Sequence, residues 1–344
     1  MLEWLWALIL RYHQPYAYFT TFLTYSLNFL LLYLIKYKSR GDFGPYRNLL
    51  KYLAIFNVIY STAHSLILPK VYGGQYYFFV VPTGALSDFL DQQGQTLLGA
   101  IISSLFGVNN TVLAIHFVFR YIQICHSHRD RLLRGKNQLL WFAIVLICFG
   151  IWMVTCVNLV SPAPEKDVYL IDFETFSNHS LRNRGYVGPA YWITSNSEVV
   201  FNYRDMFGML SLSCAACVPL NVMCFCGYKT YQGMKRTVGS PKTKKLQRQL
   251  FISLVVLTTI PLMVIYGPMT LLFICPAFGI NTGRLGLLYH CFLVVPPFFD
   301  PIILISFITD YRRQVQRFIR DYTCLKSLGG THLDRITSYS ASKH

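Results

Sequence analysis

Asp300 is the one carboxylate inside any long apolar run of this 344-residue sequence, and Pro301 follows it directly. An ionised side chain at mid-bilayer costs about 2.5–3.5 kcal/mol on insertion scales, so such a group must find partners or serve a function. Asp300 stands nine residues from Thr309, the inner end of its run, which is about 13 Å in at 1.5 Å per residue. Asn28, Asn57 and Asn110 reach similar depths in three other runs. Four polar groups at one level in hydrocarbon are expected to bond to one another. Pro301 has no N–H to give the preceding turn, so a kink is expected there. Asp300, Pro301, Asn28 and Asn57 together make a candidate two-state switch.

Other residues suggest recognition, not bond-breaking. Ser103, Phe106 and Asn110 recur at i, i+3 and i+7, one face of a helix. Tyr266, Met269 and Thr270 follow Pro261 on another run, and His290 precedes Pro301 by eleven residues. These seven are the candidate ligand-binding set. At the opposite end stand Arg120 and Tyr121, together with a loop carrying Lys242, Lys244, Lys245 and Arg248 and no acid. Such a basic surface is suited to anionic lipid or to a cytoplasmic protein partner. The pairs Cys214/Cys217 and Cys224/Cys226 lie on an apolar run, where cysteine behaves as a small hydrophobe. No Ser/His/Asp set, metal-ligand cluster or phosphate loop is present, so neither an enzyme nor a cofactor is expected. The last apolar run holds no Lys, which excludes a retinal Schiff base.

The elements that must position these residues are membrane spans. Apolar residues are 53% of the chain and charged residues 13%, against about 25% charged in soluble domains. That excludes a disordered chain and a soluble enzyme. Apolar runs of about 20 residues cover 14–35, 48–68, 97–119, 139–160, 206–228, 250–275 and 286–309. Of the Lys and Arg residues, 24 fall in the loops and tail on one side and 7 on the other. The basic side is cytoplasmic by the positive-inside rule. The net charge of +16 is therefore a basic inner face and not a nucleic-acid site. Asn178, with Ser180 two residues on, is a glycosylation acceptor in the outer segment 161–205. The expected fold is an all-α bundle of seven spans over 14–309, with residues 1–13 outside. A short amphipathic helix over 310–323 and a cytoplasmic tail over 324–344 complete it, and Cys324 is a candidate for palmitoylation.

Four strings carry a family resemblance. Gly44-Pro-Tyr-Arg-Asn-Leu-Leu50 opens the second span and His116-Phe-Val-Phe-Arg-Tyr121 closes the third. Lys245-Leu-Gln-Arg-Gln-Leu-Phe251, with Pro261, enters the sixth. Pro296-Pro-Phe-Phe-Asp300-Pro301, running on to Asp310-Tyr-Arg-Arg313, ends the seventh. In that order the chain resembles the nematode serpentine chemoreceptors of the Str class, which are G-protein-coupled receptors. The resemblance implies a plasma-membrane receptor at a sensory-neuron cilium. It would bind an odorant or other small chemical cue and activate a heterotrimeric G protein through Arg120, Tyr121 and the basic loop. The chain departs from the wider rhodopsin-like pattern at three points. Phe119 replaces the acid before Arg120, Leu304 replaces a tyrosine, and no Cys lies in 69–96 or 161–205 to form the outer disulfide. The alternatives are a seven-span ligand-gated channel, which the charge asymmetry opposes, and a transporter, which ordinarily shows repeats and several intramembrane charges.

Overall fold

The computed structural model describes residues 3–38, 46–126, 135–177, 184–195, 198–236, 241–283 and 285–321, with the side chains at 3–10, 171–177, 195, 242, 287 and 290 not described. Helices dominate because a chain surrounded by hydrocarbon must satisfy its backbone within each segment. They are α1 (Glu3–Tyr37), α2 (Tyr46–Ile67), α3 (Gln92–Cys125), α4 (Gln138–Asn158), α5 (Pro164–Ser177), α6 (Tyr203–Arg236), α7 (Pro241–Pro261), α8 (Gly267–Ala277), α9 (Leu285–Leu293), α10 (Pro296–Phe307) and α11 (Thr309–Asp321). The Asp91 side chain caps α3 by accepting from the Gly94 N–H at 2.9 Å.

Among the described residues, five helical stretches are long and apolar enough to cross a membrane by themselves: Arg11–Tyr37, Gln92–Cys125, Gly135–Asn158, Tyr203–Arg236 and Thr243–Ala277. The segment Cys291–Phe307 qualifies only jointly with α11, which leaves it at 96°. α2 is not among them, since Asn57, Ser61, Thr62, His64 and Ser65 dilute its apolar character. It nevertheless packs between α1 and α3. α3 is the hub, touching α2, α4, α6 and α7.

Three features depart from the expected plan. α1 continues upstream of residue 14 to Glu3. The bundle is not all-α. β1 (Pro69–Gly73) pairs antiparallel with β2 (Phe78–Pro82), and β3 (Trp192–Ser195) with β4 (Glu198–Phe201), all at the end opposite the basic loops. The run Phe78-Phe-Val-Val81 supplies the β-branched and aromatic residues that favour strand. The expected kink at Pro301 is displaced: α10 runs through Pro301 unbroken, and the break falls at Val294–Val295 ahead of Pro296 and Pro297. Proline is tolerated at the first helical position, so the Pro-Pro pair starts a helix as readily as it ends one.

The sixth span contains a single turn of π-helix, Leu262–Tyr266, lying between Pro261 and Pro268. Each proline withdraws one N–H from the helical ladder, and the widened turn absorbs the mismatch.

Candidate functional site

At the hairpin end the helices enclose a cavity of about 50 Å³ whose wall is almost wholly apolar. Ser103 and Phe106 of α3, Trp152 of α4, and Met269 and Tyr289 of α8 and α9 contribute to it. The Trp152 indole lies against Gly107, where a Cβ would collide with the ring. Trp152 Nε1 and Tyr289 Oη are buried and have no hydrogen-bond partner among the described residues. Each such orphan costs about 1–3 kcal/mol. The Phe106 ring sits 5.0 Å from Tyr266 and 6.3 Å from Trp152.

A lid of backbone closes the mouth. The 186–190 segment joins the edge of β2: Val80 and Val187 exchange N–H···O bonds at 2.8 and 3.0 Å, and Phe78 N donates to Pro189 O at 3.0 Å. Val187 and Gly188 form part of the cavity roof. Gly188 has φ +149°, a conformation other residues rarely adopt. A Cβ there would strike the Phe78 carbonyl.

A buried ion pair anchors this lid. Lys166 Nζ lies 2.5 Å from Asp205 Oδ2 and donates to Ser161 O at 2.9 Å. Ala190 N donates to the same carboxylate oxygen at 2.8 Å. Burial lowers the Lys166 pKa, and the attraction of the Asp205 carboxylate opposes that shift. The lid is also tied to the sixth span. Tyr191 Oη donates to Phe273 O at 2.8 Å and Trp192 Nε1 to Ala277 O at 3.0 Å.

Below the cavity lies a polar chain. Asn57 Nδ2 donates to Asp300 Oδ2 at 3.1 Å and to Asn28 Oδ1 at 3.4 Å. Asn28 Nδ2 donates to Pro297 O at 2.9 Å. Pro297 O is the carbonyl that residue 301 would engage if it had an N–H. Pro301 thus frees a carbonyl and Asn28 satisfies it.

At the basic end Arg120 is fully buried. Its guanidinium packs 3.9 Å from the Tyr46 ring centroid, and Nη1 donates to Gln123 Oε1 at 3.1 Å and to Gln247 Oε1 of α7 at 2.5 Å. Its Nε and Nη2 have no partner among the described residues. The residue therefore bridges α3 to the foot of the sixth span, held by a neutral amide and an aromatic face and not by a carboxylate.

The model of the serpentine seven-transmembrane chemoreceptor family Str matches residues 13–316. The chain belongs to the Str family. It is 27% identical over 325 residues to serpentine receptor class r-10 of Caenorhabditis briggsae, covering 92% of each chain. It is 26% identical over 307 residues to the Caenorhabditis elegans protein of that name, covering 86% of this chain and 88% of the relative. The G-protein coupled receptor str-217 of C. elegans is 24% identical over 326 residues, with 92% and 93% covered. These relatives are receptors, and the Str chain is a multi-pass membrane protein of that chemoreceptor class.

In this Str-family bundle the seven residues of the candidate ligand set part company. Ser103, Phe106 and Met269 line the cavity. Tyr266 lies one layer deeper, its hydroxyl accepting from Asn109 Nδ2 at 3.5 Å. Asn110 does not reach the cavity, because seven residues carry it about 10 Å down the helix from Ser103. Nor does it bond to the Asn28–Asn57–Asp300 chain: it is buried, and its Oδ1 has no partner among the described residues. Thr270 points to the exposed face and donates to Tyr266 O at 2.7 Å. His290 lies on α9 with its side chain outside the described residues. At the basic end Tyr121 Oη is 2.9 Å from His126 Nε2, while Lys244, Lys245 and Arg248 are exposed. The Lys242 side chain, Asn178 and the tail with Cys324 lie outside the described residues. Sequence reasoning missed Trp152, Tyr289 and the lid. The strand-forming run at 78–81 and the isolated Gly188 were the available signals.

Proposed function

We propose that this Str-family chain is a chemosensory receptor. A small, weakly polar molecule binds in the cavity beneath the lid and activates a heterotrimeric G protein at the basic end. The observation that carries this reading is the π-turn at Leu262–Tyr266. It stands between Met269, which lines the cavity, and Gln247, which holds Arg120. A guest that fills the cavity displaces α8 relative to α3. The π-turn transmits that shift to α7, and the Arg120–Gln247 contact opens. Released from the core, Arg120 joins Tyr121, Lys244, Lys245 and Arg248 as a docking face for the G protein. Ligand thus acts by differential affinity for the open and closed arrangements. The receptor sits in the plasma membrane of a sensory-neuron cilium with its tail in the cytosol.

The test is expression with a Ca²⁺ or cAMP reporter, screened against volatile and soluble compounds. An active compound should lose potency in Phe106→Ala and Met269→Ala without loss of maximum response. Unshifted dose–response curves in both variants would place the pocket elsewhere.

A further inference from the structure

His116 and Arg120 stand four residues apart on α3, so their side chains leave one face of that helix. Tyr46, in the first turn of α2, meets both. All three are buried. The guanidinium carbon of Arg120 lies 3.9 Å from the centre of the Tyr46 ring. The His116 ring stands at 88° to the Tyr46 ring, with its Nδ1 3.2 Å from Tyr46 Oη. The histidine thus holds the hydroxyl end of the phenol while the face of the same ring meets the cation.

This contact differs from the others of its kind. Four more cations among the described residues lie over aromatic rings, but each is at 4.5 Å or more and each of those rings is exposed. Attraction between a cation and the negative face of a ring strengthens once water is removed. Among the described residues no carboxylate pairs with Arg120, and its Nε and Nη2 have no hydrogen-bond acceptor. Besides the oxygens of Gln123 and Gln247, the ring face is what is set against the buried charge. The two holds come from different helices: Gln247 from α7 and Tyr46 from α2.

We infer that Tyr46 is a positioning residue: its ring face, braced by His116, clamps Arg120 in the core and sets how often the guanidinium comes free at the basic end. Only the consequence rests on the signalling role proposed above, in which the freed Arg120 meets the G protein. The clamp itself is electrostatic. It depends on the electron density of the ring and not on its bulk.

That distinction is tested on purified full-length receptor in detergent with no G protein present. Position 46 is given phenylalanine, difluorophenylalanine or trifluorophenylalanine by nonsense suppression. Fluorine withdraws the ring's negative face and scarcely changes its size. Hydroxyphenylglyoxal, which attacks free guanidinium groups, is the probe, and mass spectrometry follows its rate at Arg120. Exposed Arg317 is the internal control. Tyr46→Phe gives up only the bond to His116 and should react within about fivefold of the parent. A desolvated cation–ring contact biases the equilibrium by about 30-fold, so the trifluorinated ring should react about 30-fold faster than Tyr46→Phe, with the difluorinated ring between them. In Arg120→Met the same series should leave the melting temperature unchanged, whereas with Arg120 present it should fall stepwise. An Arg120 rate indifferent to fluorination, or a melting trend that persists in Arg120→Met, would overturn the clamp and leave the G-protein reading standing. A G-protein reading that failed would leave the labelling trend in place.

Discussion

Arg120 is a cation kept out of water with two of its nitrogens lacking partners among the described residues. A buried charge held only by neutral groups is expensive. In the proposed mechanism, a partner offering an acceptor at the basic end would relieve that cost. Gln247 is the group from the sixth span that offsets part of this cost. Gln247→Ala should raise ligand-independent signalling, read from reporter output without ligand at matched surface level. Arg120→Ala should abolish ligand-driven signalling while leaving surface level unchanged; full signalling at normal expression would make it only an interfacial anchor. Asp300 belongs to a different ledger, because it is reached by Asn57 and not by a cation. Asp300→Ala leaves Asn57 short of an acceptor at a cost of about 1–3 kcal/mol. It should lower signal amplitude more than ligand affinity. Asp300→Asn keeps a side-chain oxygen for Asn57 and should fall between the two. If both variants signal as the parent does at equal surface level, the polar chain has no part in switching.

At the scale of elements, the lid does by electrostatics what an outer disulfide does in rhodopsin-like receptors. The Lys166–Asp205 pair joins α5 to the start of α6 and holds 188–190 over the cavity. Lys166→Ala strands the Asp205 carboxylate and should cost about 3–5 kcal/mol. The purified receptor should melt several degrees lower, and Lys166→Met/Asp205→Leu should recover much of the loss. A melting temperature unchanged by Lys166→Ala would remove the pair from the lid's support. This device was not legible in the sequence, since Lys166 and Asp205 are 39 positions apart in a segment with no period to align them. The helices were legible, because apolar runs long enough for a bilayer leave the backbone few alternatives. The depth of Asn28, Asn57 and Asp300 follows from counting residues, but the hydrogen bonds among them depend also on which way each residue faces. Asn110 shares the depth and makes no such bond, because level alone does not fix the direction in which a helical residue points. The bend was misplaced for a related reason. Pro301 announces a missing N–H, but Asn28 satisfies the carbonyl it frees and the helix stays whole there.

For the whole molecule, function depends on which end faces the cytosol. The hairpins and the cavity lie at one end, and the basic loops and Arg120 at the other. By the positive-inside rule, the split of 24 to 7 in Lys and Arg is expected to place the basic end inside. Two of the apolar segments do not qualify as spans alone: α2 is diluted by its polar residues, and α10 is followed at once by the 96° turn into α11. If α2 failed to cross, the segment holding Asn178 and the tail would both change sides; if α10 failed to cross, the tail alone would. An epitope after residue 321 should therefore be reached by antibody only in permeabilised cells, and one in the segment holding Asn178 in intact cells. Asn178→Gln should abolish any glycosidase-sensitive mass shift. A tail epitope exposed on intact cells, together with an Asn178-segment epitope reached only after permeabilisation, would reverse the orientation of the chain. It would also separate Arg120 and the basic loops from any cytosolic partner.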